Sequence, residues 1–439
     1  MNQPTATLLT TRLDRLHIAE RLFWAVFWVT TCVGFVADEW LSPMTQLRSA
    51  ATLLCEAAII TAAVMVVKNR IIWWLIAAFI ALTWITTTQL NPIPTGTWLN
   101  GLREFIGLAT AYPVAVALCR EKHETFLNQL DRNLLIFLCL QMFCIPYQFF
   151  LYGSGDLVGG SLGQLYSGQI SICIYLASFF LIRRRLDYDN LFQSVRKNWY
   201  LLALLLPTFL NETKVSFILL PLYILLLLPL DRKLLTRLVV TAPLLAGALW
   251  IGAQIYNTTT KDLAQGGGMF KNTEEAYAYF MFENLENTEA AVQWDIDNIG
   301  HADVPRLTKL MFLTILNELE PGHVITGFGL GHFKGNVIGA TDFARQYDWL
   351  LSGSIPYVFH IYIQLGLIGI ALLIAYCTAV FARAPLPHCR RDVPLQLLLA
   401  FIVALTFLYN DALRHLSFCI FLFSLLSASW IPNQQTQEP

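Results

Sequence analysis

The sequence has little charge for its length. Only 13% of its 439 residues are charged, whereas 56% are hydrophobic, and an average soluble domain has about a quarter charged residues. This amount of charge cannot cover a water-facing surface, so we expect most of the surface to face lipid. The net charge of −1 also excludes the strongly basic balance that is typical of nucleic-acid binding, and no nucleic-acid partner is expected.

The nine cysteines form no recognisable pattern. None of them lies in the long polar segment described below, so the sequence predicts no disulfide framework and no zinc site. Cys139 and Cys144 are five positions apart and face different sides of a helix, which favours a packing role. No carboxylates show metal-ligand spacing either, so neither a metal nor another cofactor is expected.

Long apolar runs predict an all-α fold, a polytopic transmembrane helix bundle. A helix needs about 20 apolar residues to cross a bilayer, and on this basis we predict about twelve spans. They lie near 22–38, 50–67, 71–90, 102–119, 133–151, 166–182, 198–211, 214–230, 236–256, 356–382, 395–411 and 413–431. The chain therefore divides into transmembrane helices 1–9 (residues 1–256), a long polar loop (257–355), and helices 10–12 with a cytoplasmic tail (356–439).

The basic residues predict the orientation. Most of the 29 Lys and Arg residues fall in alternate connections, and the short connections on the other side hold only Arg48, Arg103, Lys214 and Arg414. Short basic loops stay in the cytoplasm, so we expect both termini inside and the long loop outside. The polar residues 1–21 before the first apolar run favour a retained helix over a cleaved signal peptide.

The long loop is predicted to be partly helical. Residues 274–285 are amphipathic and rich in aromatic side chains. Residues 306–319 have apolar side chains at helical spacing and follow Pro305, which is a favourable residue at a helix start. A glycine-rich turn, Gly327-Phe-Gly-Leu-Gly331, comes next. We expect these short helices to lie on the outer mouth of the bundle.

Four polar side chains beside apolar runs are candidate functional residues, because charge at membrane depth is costly. Lys214 lies in a tight turn between two apolar runs, and Arg103 and Arg414 lie where outer connections meet the bundle. A local ion pair or a snorkelling end charge explains Arg103 and Arg414 equally well. It explains Lys214 less well, because the tight turn gives this side chain little room to reach water. His360 lies one turn into the first helix after the loop; its imidazole suits a general base near pH 7, or hydrogen-bonds a neighbour.

These residues, in this order, resemble the O-antigen ligase and O-antigen polymerase superfamily of membrane glycosyltransferases. Residues 210–220 match a turn that opens an apolar helix, with Lys214 where the family has arginine. Arg306 and the turn at 327–333 match an arginine, a helix and a Gly-x-Gly-x-Gly-aromatic turn. The run 360–369 resembles a helix that opens with His-Asn and continues into Leu-Gly-x-x-Gly. The resemblance covers about residues 201–373.

The resemblance implies a metal-independent, inverting-type glycosyltransferase of bacterial surface polysaccharide assembly, of capsule or lipopolysaccharide. Its donor would be an oligosaccharide on undecaprenyl diphosphate, and its acceptor a glycan or a lipid A core. Arg306 and Lys214 would hold the diphosphate, with Arg103 or Arg414 assisting, and His360 and Arg306 would be the catalytic residues. The site would lie on the periplasmic side of the inner membrane.

Three functions remain open from the sequence. A polymerase that joins repeat units is favoured over an O-antigen ligase that moves the finished glycan to lipid A core or protein. A transporter of polysaccharide or lipid-linked oligosaccharide is the alternative outside the enzymes. A transporter favours broken helices in corresponding positions of its two halves. The short runs 198–211 and 214–230 suggest one such break, and the first half is expected to lack a matching one.

Overall fold

The computed structural model describes residues 4–41, 45–153, 155, 157–185, 191–211, 215–227, 306–334, 341–351, 355–381 and 393–430. Within these ranges every regular element is helical, which confirms the all-α prediction. The predicted span at 236–256 and the amphipathic stretch at 274–285 lie outside the described residues.

The part of the chain before residue 228 supplies helices α1 to α10. They are α1 (Pro4–Phe35), α2 (Thr45–Val66), α3 (Arg70–Trp84), α4 (Thr95–Leu102), α5 (Tyr112–Glu121), α6 (His123–Tyr152), α7 (Ser167–Arg185), α8 (Leu191–Lys197), α9 (Trp199–Ala203) and α10 (Val215–Leu227). α1 and α3 continue as π-helical turns to Trp40 and Leu90. The side chain of Asn69 caps α3 by accepting a hydrogen bond from the amide of Ile71.

The later part supplies helices α11 to α16. They are α11 (Arg306–Leu319), α12 (Asp342–Gln346), α13 (Asp348–Leu351), α14 (Tyr357–Phe381), α15 (Val393–Leu408) and α16 (Leu416–Trp430). α11 confirms the helix predicted within the long loop. Its Phe312 and Leu316 form an apolar cluster with Phe359 and Ile363 of α14, so this part of the predicted loop packs against α14.

The helices that could cross a membrane number five among the described residues, or six if a bent pair is counted as one span. The five are Asp14–Trp40, Gln46–Val66, Arg70–Leu90, His123–Tyr152 and Tyr357–Val380. This finding is consistent with a multi-pass membrane protein, whereas the count of twelve stays a prediction. Trp199–Phe209, Val393–Leu408 and Leu416–Ser429 are also apolar, but they are shorter.

Two helices form the centre of the bundle. α7 is buried along almost its whole length, and α16 packs against α1, α5 and α7. A helix that is apolar on all sides is expected at such a position. The surrounding helices expose large apolar side chains such as Leu54, Trp74 and Phe150, which suits a surface that faces lipid.

One predicted span, at 102–119, is bent. The segments Thr95–Phe105 and Gly107–Glu121 meet at an angle of 44°. A 3-10 turn, Arg103–Phe105, and a π-helical turn, Gly107–Ala111, replace regular helix at the bend. The first half of the chain therefore contains a bent span, which the sequence did not predict. Mid-helix turns of this kind often mark functional positions.

A second break lies within α14. Gly366 has φ 58° and ψ −156°, values that interrupt the helix, and a side chain there would meet the carbonyl oxygen of Ile325 at 2.5 Å. The break leaves helical amides and carbonyls without their usual partners. Backbone groups of residues 324–329 bind them instead: the amides of Phe328 and Gly329 donate to α14, and amides of α14 donate to Val324 and Ile325. The predicted loop is thereby attached to the broken helix.

Candidate functional site

A buried carboxylate lies at the bend between α4 and α5. Glu104 is 2% exposed, and its Oε1 accepts a hydrogen bond of 2.6 Å from Nη2 of Arg414. Its Oε2 lies 3.0 Å from Nε2 of His360, whose side chain is fully buried. A buried carboxylate needs such partners to compensate for the water that it loses. We call Glu104, His360, Arg414 and Asp411 the Glu104 cluster.

Arg414 joins two carboxylates. It ends the 3-10 turn Ala412–Arg414 between α15 and α16, and its Nη1 donates to Oδ2 of Asp411 at 2.8 Å. The amide of Tyr357 donates to the carbonyl of Asn410 at 3.0 Å, which holds this turn against the start of α14. The guanidinium carbon lies 5.5 Å from the ring centre of Phe333, which belongs to the predicted loop.

The His360 ring is enclosed by aromatic side chains and one amide. The ring centres of Phe333, Tyr357 and Phe105 lie 4.5, 5.8 and 6.0 Å from that of His360. The side-chain amide of Gln364, one turn along α14, donates to Nε2 at 2.8 Å. Nε2 therefore has a donor and an acceptor, Gln364 and Glu104, within 3.0 Å.

The glycine-rich turn, residues 327–331, fastens the loop beside this histidine. The amide of Leu330 donates to Oγ1 of Thr87, and the amide of Gly331 donates to Oε1 of Gln364, each at 2.8 Å. Since the two preceding amides donate to α14, four successive N–H groups are already bonded. A phosphate-binding turn needs such groups free. The turn thus attaches the loop and orients Gln364.

Arg103 lies next to the cluster and forms a separate ion pair. Its Nε and Nη2 donate to the two carboxylate oxygens of Glu56 at 2.8 and 3.1 Å. Glu56 is 8% exposed and lies midway along α2. Arg103 and Glu104 are adjacent in sequence, and successive residues of a helical turn point in different directions, so one contacts α2 and the other contacts α14.

The structure brings together three of the five residues that the sequence predicts for the site. His360 and Arg414 both contact Glu104, and Arg103 precedes it. Lys214 lies outside the described residues. Arg306 is the first residue of α11, and its side chain is not among those described. The roles predicted for all five residues stay predictions.

His332 holds the described part of the loop together. Its Nε2 donates to the carbonyl of Phe328 at 2.7 Å, and its Nδ1 lies 2.6 Å from the hydroxyl of Thr341. That hydroxyl oxygen also caps α12, where it accepts from the amide of Ala344. Burial lowers the pKa of His332 to about 4, because a charged imidazolium there would lose its water. The ring is therefore neutral near pH 7.

An apolar groove borders Phe105. Its enclosed volume is about 60 Å³, and Leu75, Phe79, Leu108 and Tyr376 are among the side chains that line it. Its walls come from three stretches that could cross a membrane. Phe105 belongs both to this groove and to the aromatic enclosure of His360, so the groove and the Glu104 cluster share a wall.

Three residues of this site, Glu56, Glu104 and Gln364, were not predicted from the sequence, although the sequence position of each indicated a polar partner. Glu56 interrupts an apolar run at its middle, where a charge at membrane depth implies a partner. Glu104 was visible as the neighbour of Arg103, but its contacts lie 256 and 310 positions away. Gln364 follows His360 by four residues, the spacing at which helical side chains meet.

Comparison of the sequence with protein-family models finds no match, and comparison with curated proteins finds none either.

Proposed function

We propose that the protein is a membrane glycosyltransferase of bacterial surface polysaccharide assembly with His360 as its general base. The observation that carries the proposal is the contact between His360 and Glu104 at the bend of a broken span. An ionisable group at membrane depth is a functional candidate by default, and an imidazole held by a carboxylate is an arrangement suited to proton transfer.

The reaction would move a glycan from a lipid diphosphate to an acceptor hydroxyl. The hydroxyl oxygen bonds to the anomeric carbon of the donor, and the bond from that carbon to the diphosphate oxygen breaks. The diphosphate leaves with the electron pair, and His360 takes the hydroxyl proton. Since the leaving group is a stable anion, positive charge beside it matters more than an acid. The donor would be an undecaprenyl-diphosphate oligosaccharide.

Arg306 and Lys214 take the diphosphate in this proposal. Arg103 and Arg414, the two predicted assistants, already bind carboxylates in the structure, so their charges are largely balanced. The apolar groove beside Phe105 supports a lipid-linked donor, because its apolar side chains could contact a hydrocarbon chain next to the Glu104 cluster. The site would face the periplasm, with both termini in the cytoplasm of the inner membrane.

The test replaces the proposed base and one proposed diphosphate-binding residue. His360→Ala and Arg306→Ala are expected to lose long-chain polysaccharide in cells while the protein stays at normal membrane levels. His17→Ala is the matched control, because His17 is 62% exposed and contacts Glu20 on α1. Normal polymer from both site variants would refute the assignment.

A polymerase is favoured over a ligase, and one observation separates them. Cells that lack a polymerase should accumulate single repeat units on the lipid carrier. Cells that lack a ligase should accumulate long chains on the carrier, with lipid A core or protein as the missing acceptor. Mass measurement of the carrier-linked glycan in a deletion strain distinguishes the two outcomes.

Transport is the second candidate, and the two broken spans favour it. Breaks at Ile106 and at Gly366 resemble the discontinuous helices that form binding sites in transporters. A transporter of lipid-linked oligosaccharide would leave its substrate on the inner leaflet when deleted. The glycosyltransferase proposal expects that substrate on the outer leaflet, where periodate added outside the cell membrane oxidises it.

A further inference from the structure

We infer that Glu104 is the positioning residue of the site: its carboxylate holds the imidazole of His360 and stabilises the protonated ring that forms when a proton is taken up. This inference rests on the proposed function, because it assigns the group that assists the proposed base. Glu104 itself need not touch the substrate.

One atom of the His360 ring, Nε2, has two different polar partners. Nε2 of His360 has the amide donor of Gln364 at 2.8 Å and the carboxylate of Glu104 at 3.0 Å. A ring nitrogen without a proton accepts a hydrogen bond, and one with a proton donates. Gln364 can donate to Nε2 only while Nε2 has no proton, whereas a protonated Nε2 donates to Glu104. The carboxylate therefore favours the protonated ring over the neutral ring.

The charges of the Glu104 cluster support the same role for Glu104. With Glu104 and Asp411 both ionised, Arg414 balances one of the two negative charges. A protonated His360 adds a second positive charge beside Glu104, and His415 also interacts with Asp411. The titratable side chain of Tyr357 stacks on the His360 ring with ring centres 5.8 Å apart. The enclosing side chains exclude water, which strengthens these interactions.

The carboxylate of Glu104 is held in one orientation by Arg414. Oε1 of Glu104 accepts from Arg414 at 2.6 Å, which leaves Oε2 directed at His360. Glu104 lies in a 3-10 turn at a bend, so its backbone is fixed by two helix segments. Second partners that orient a reacting imidazole are a general requirement for proton transfer.

The test compares substitutions of two buried carboxylates near the bend, Glu104 and Glu56. Glu104→Gln and Glu56→Gln each remove a negative charge from an arginine near the bend, but only Glu104 contacts His360. The substrate is the lipid-linked oligosaccharide extracted from cells that lack the gene, and the readout is the initial rate of chain transfer from pH 5.5 to 9.

We expect Glu104→Gln to lower the rate by about 100-fold and to move the acid limb of the pH profile to lower pH, since a neutral amide no longer stabilises the protonated ring. Glu56→Gln should keep the midpoint of the wild-type profile whatever its rate. The double variant with His360→Ala should be no slower than His360→Ala alone, because the two residues act as a unit.

The outcomes separate the inference from the proposed function. If His360→Ala keeps the wild-type rate, the proposed base is wrong. If His360→Ala is inactive but Glu104→Gln keeps the wild-type rate and profile, only the inference is wrong. If Glu104→Gln does not reach the membrane, Glu104→Asp replaces it: a reduced rate with the wild-type midpoint supports the inference, and an unchanged rate overturns it.

Discussion

At the residue scale, the proposed site consists of buried charges that are paired across long sequence distances. Such pairs contribute little to stability compared with apolar residues of the same shape, but removing one partner is costly. The Glu104 cluster and the pair of Arg103 with Glu56 belong to this class. The presence of these buried charges in an apolar bundle therefore indicates a functional role more than a stabilising one.

Arg414→Met should destabilise the protein by about 3 kcal/mol, because Glu104 would stay buried without its closest cation. Thermal unfolding of the purified protein in detergent measures the change. Arg345→Met is the matched control, since Arg345 is 68% exposed and pairs with an exposed Asp342. A melting temperature for Arg414→Met equal to that of the control would contradict the importance of this pair.

The buried His332 predicts a pH dependence of stability. Its pKa is lowered to about 4 in the folded protein, whereas an unfolded histidine titrates near 6.5. Between these values the unfolded chain binds a proton that the folded chain does not, so stability is full above about pH 6.5 and falls as the pH drops toward 4. The loss at pH 5 should be about 2 kcal/mol.

Thermal unfolding of the wild type and of His332→Gln at pH 7 and pH 5 measures this effect. Glutamine can bind the same carbonyl and hydroxyl without titrating in this range. The variant should therefore show a smaller decrease between the two pH values. An equal decrease in both proteins would show that other groups cause the pH dependence.

At the scale of helices, much was predictable from the sequence. The apolar runs placed α2, α3 and α14 within about five residues, because an all-apolar stretch has few alternatives to a buried or lipid-facing helix. α1 and α6 begin well before the predicted spans, at Pro4 and His123. The spacing of apolar residues also predicted α11 at 306–319. The glycines at 327–331 predicted a turn, and all three have positive φ.

The breaks within helices and their partners were not predictable. Gly366 lies in an apolar run that reads as continuous helix, and only the docking of residues 324–329 against it requires its conformation. In the same way, the contact between Glu104 and His360 depends on how α4, α5 and α14 pack. Local sequence patterns carry no information on such distant pairs.

Gly366→Ala tests the attachment of the loop to α14. The new side chain would meet the backbone of Ile325 at 2.5 Å, at a φ of 58° that alanine disfavours, and we expect a loss of about 2 kcal/mol or more. Gly322→Ala is the control, because its side chain meets nothing within 4 Å. Thermal unfolding compares them, and equal stabilities would show that the break is not required.

At the scale of the whole molecule, the two ends of the bundle have different characters. At one end, Arg48 near the start of α2 pairs with Asp38 in the π-helical turn after α1. Lys68 pairs with Glu121 at the other end, where α2 and α5 finish. The orientation proposed from the basic residues places the first end outside and the second end in the cytoplasm.

Cysteine labelling tests this orientation. Leu165 is 74% exposed in the connection before α7, and the side chain of Lys68 is 65% exposed. In a background with Cys139→Ser and Cys389→Ser, Leu165→Cys should react in intact cells with a maleimide that does not cross membranes, and Lys68→Cys should react only after the cells are opened. The reverse pattern would invert the proposed topology.

The central claim is that His360, held by Glu104, is the base of a glycosyl transfer from a lipid diphosphate. The most direct measurement is the initial rate of chain transfer by purified His360→Ala, given the lipid-linked oligosaccharide extracted from cells that lack the gene. We predict a rate at least about 100-fold below wild type, measured at a temperature at which circular dichroism shows that both proteins are folded. A rate equal to that of the wild type would contradict it.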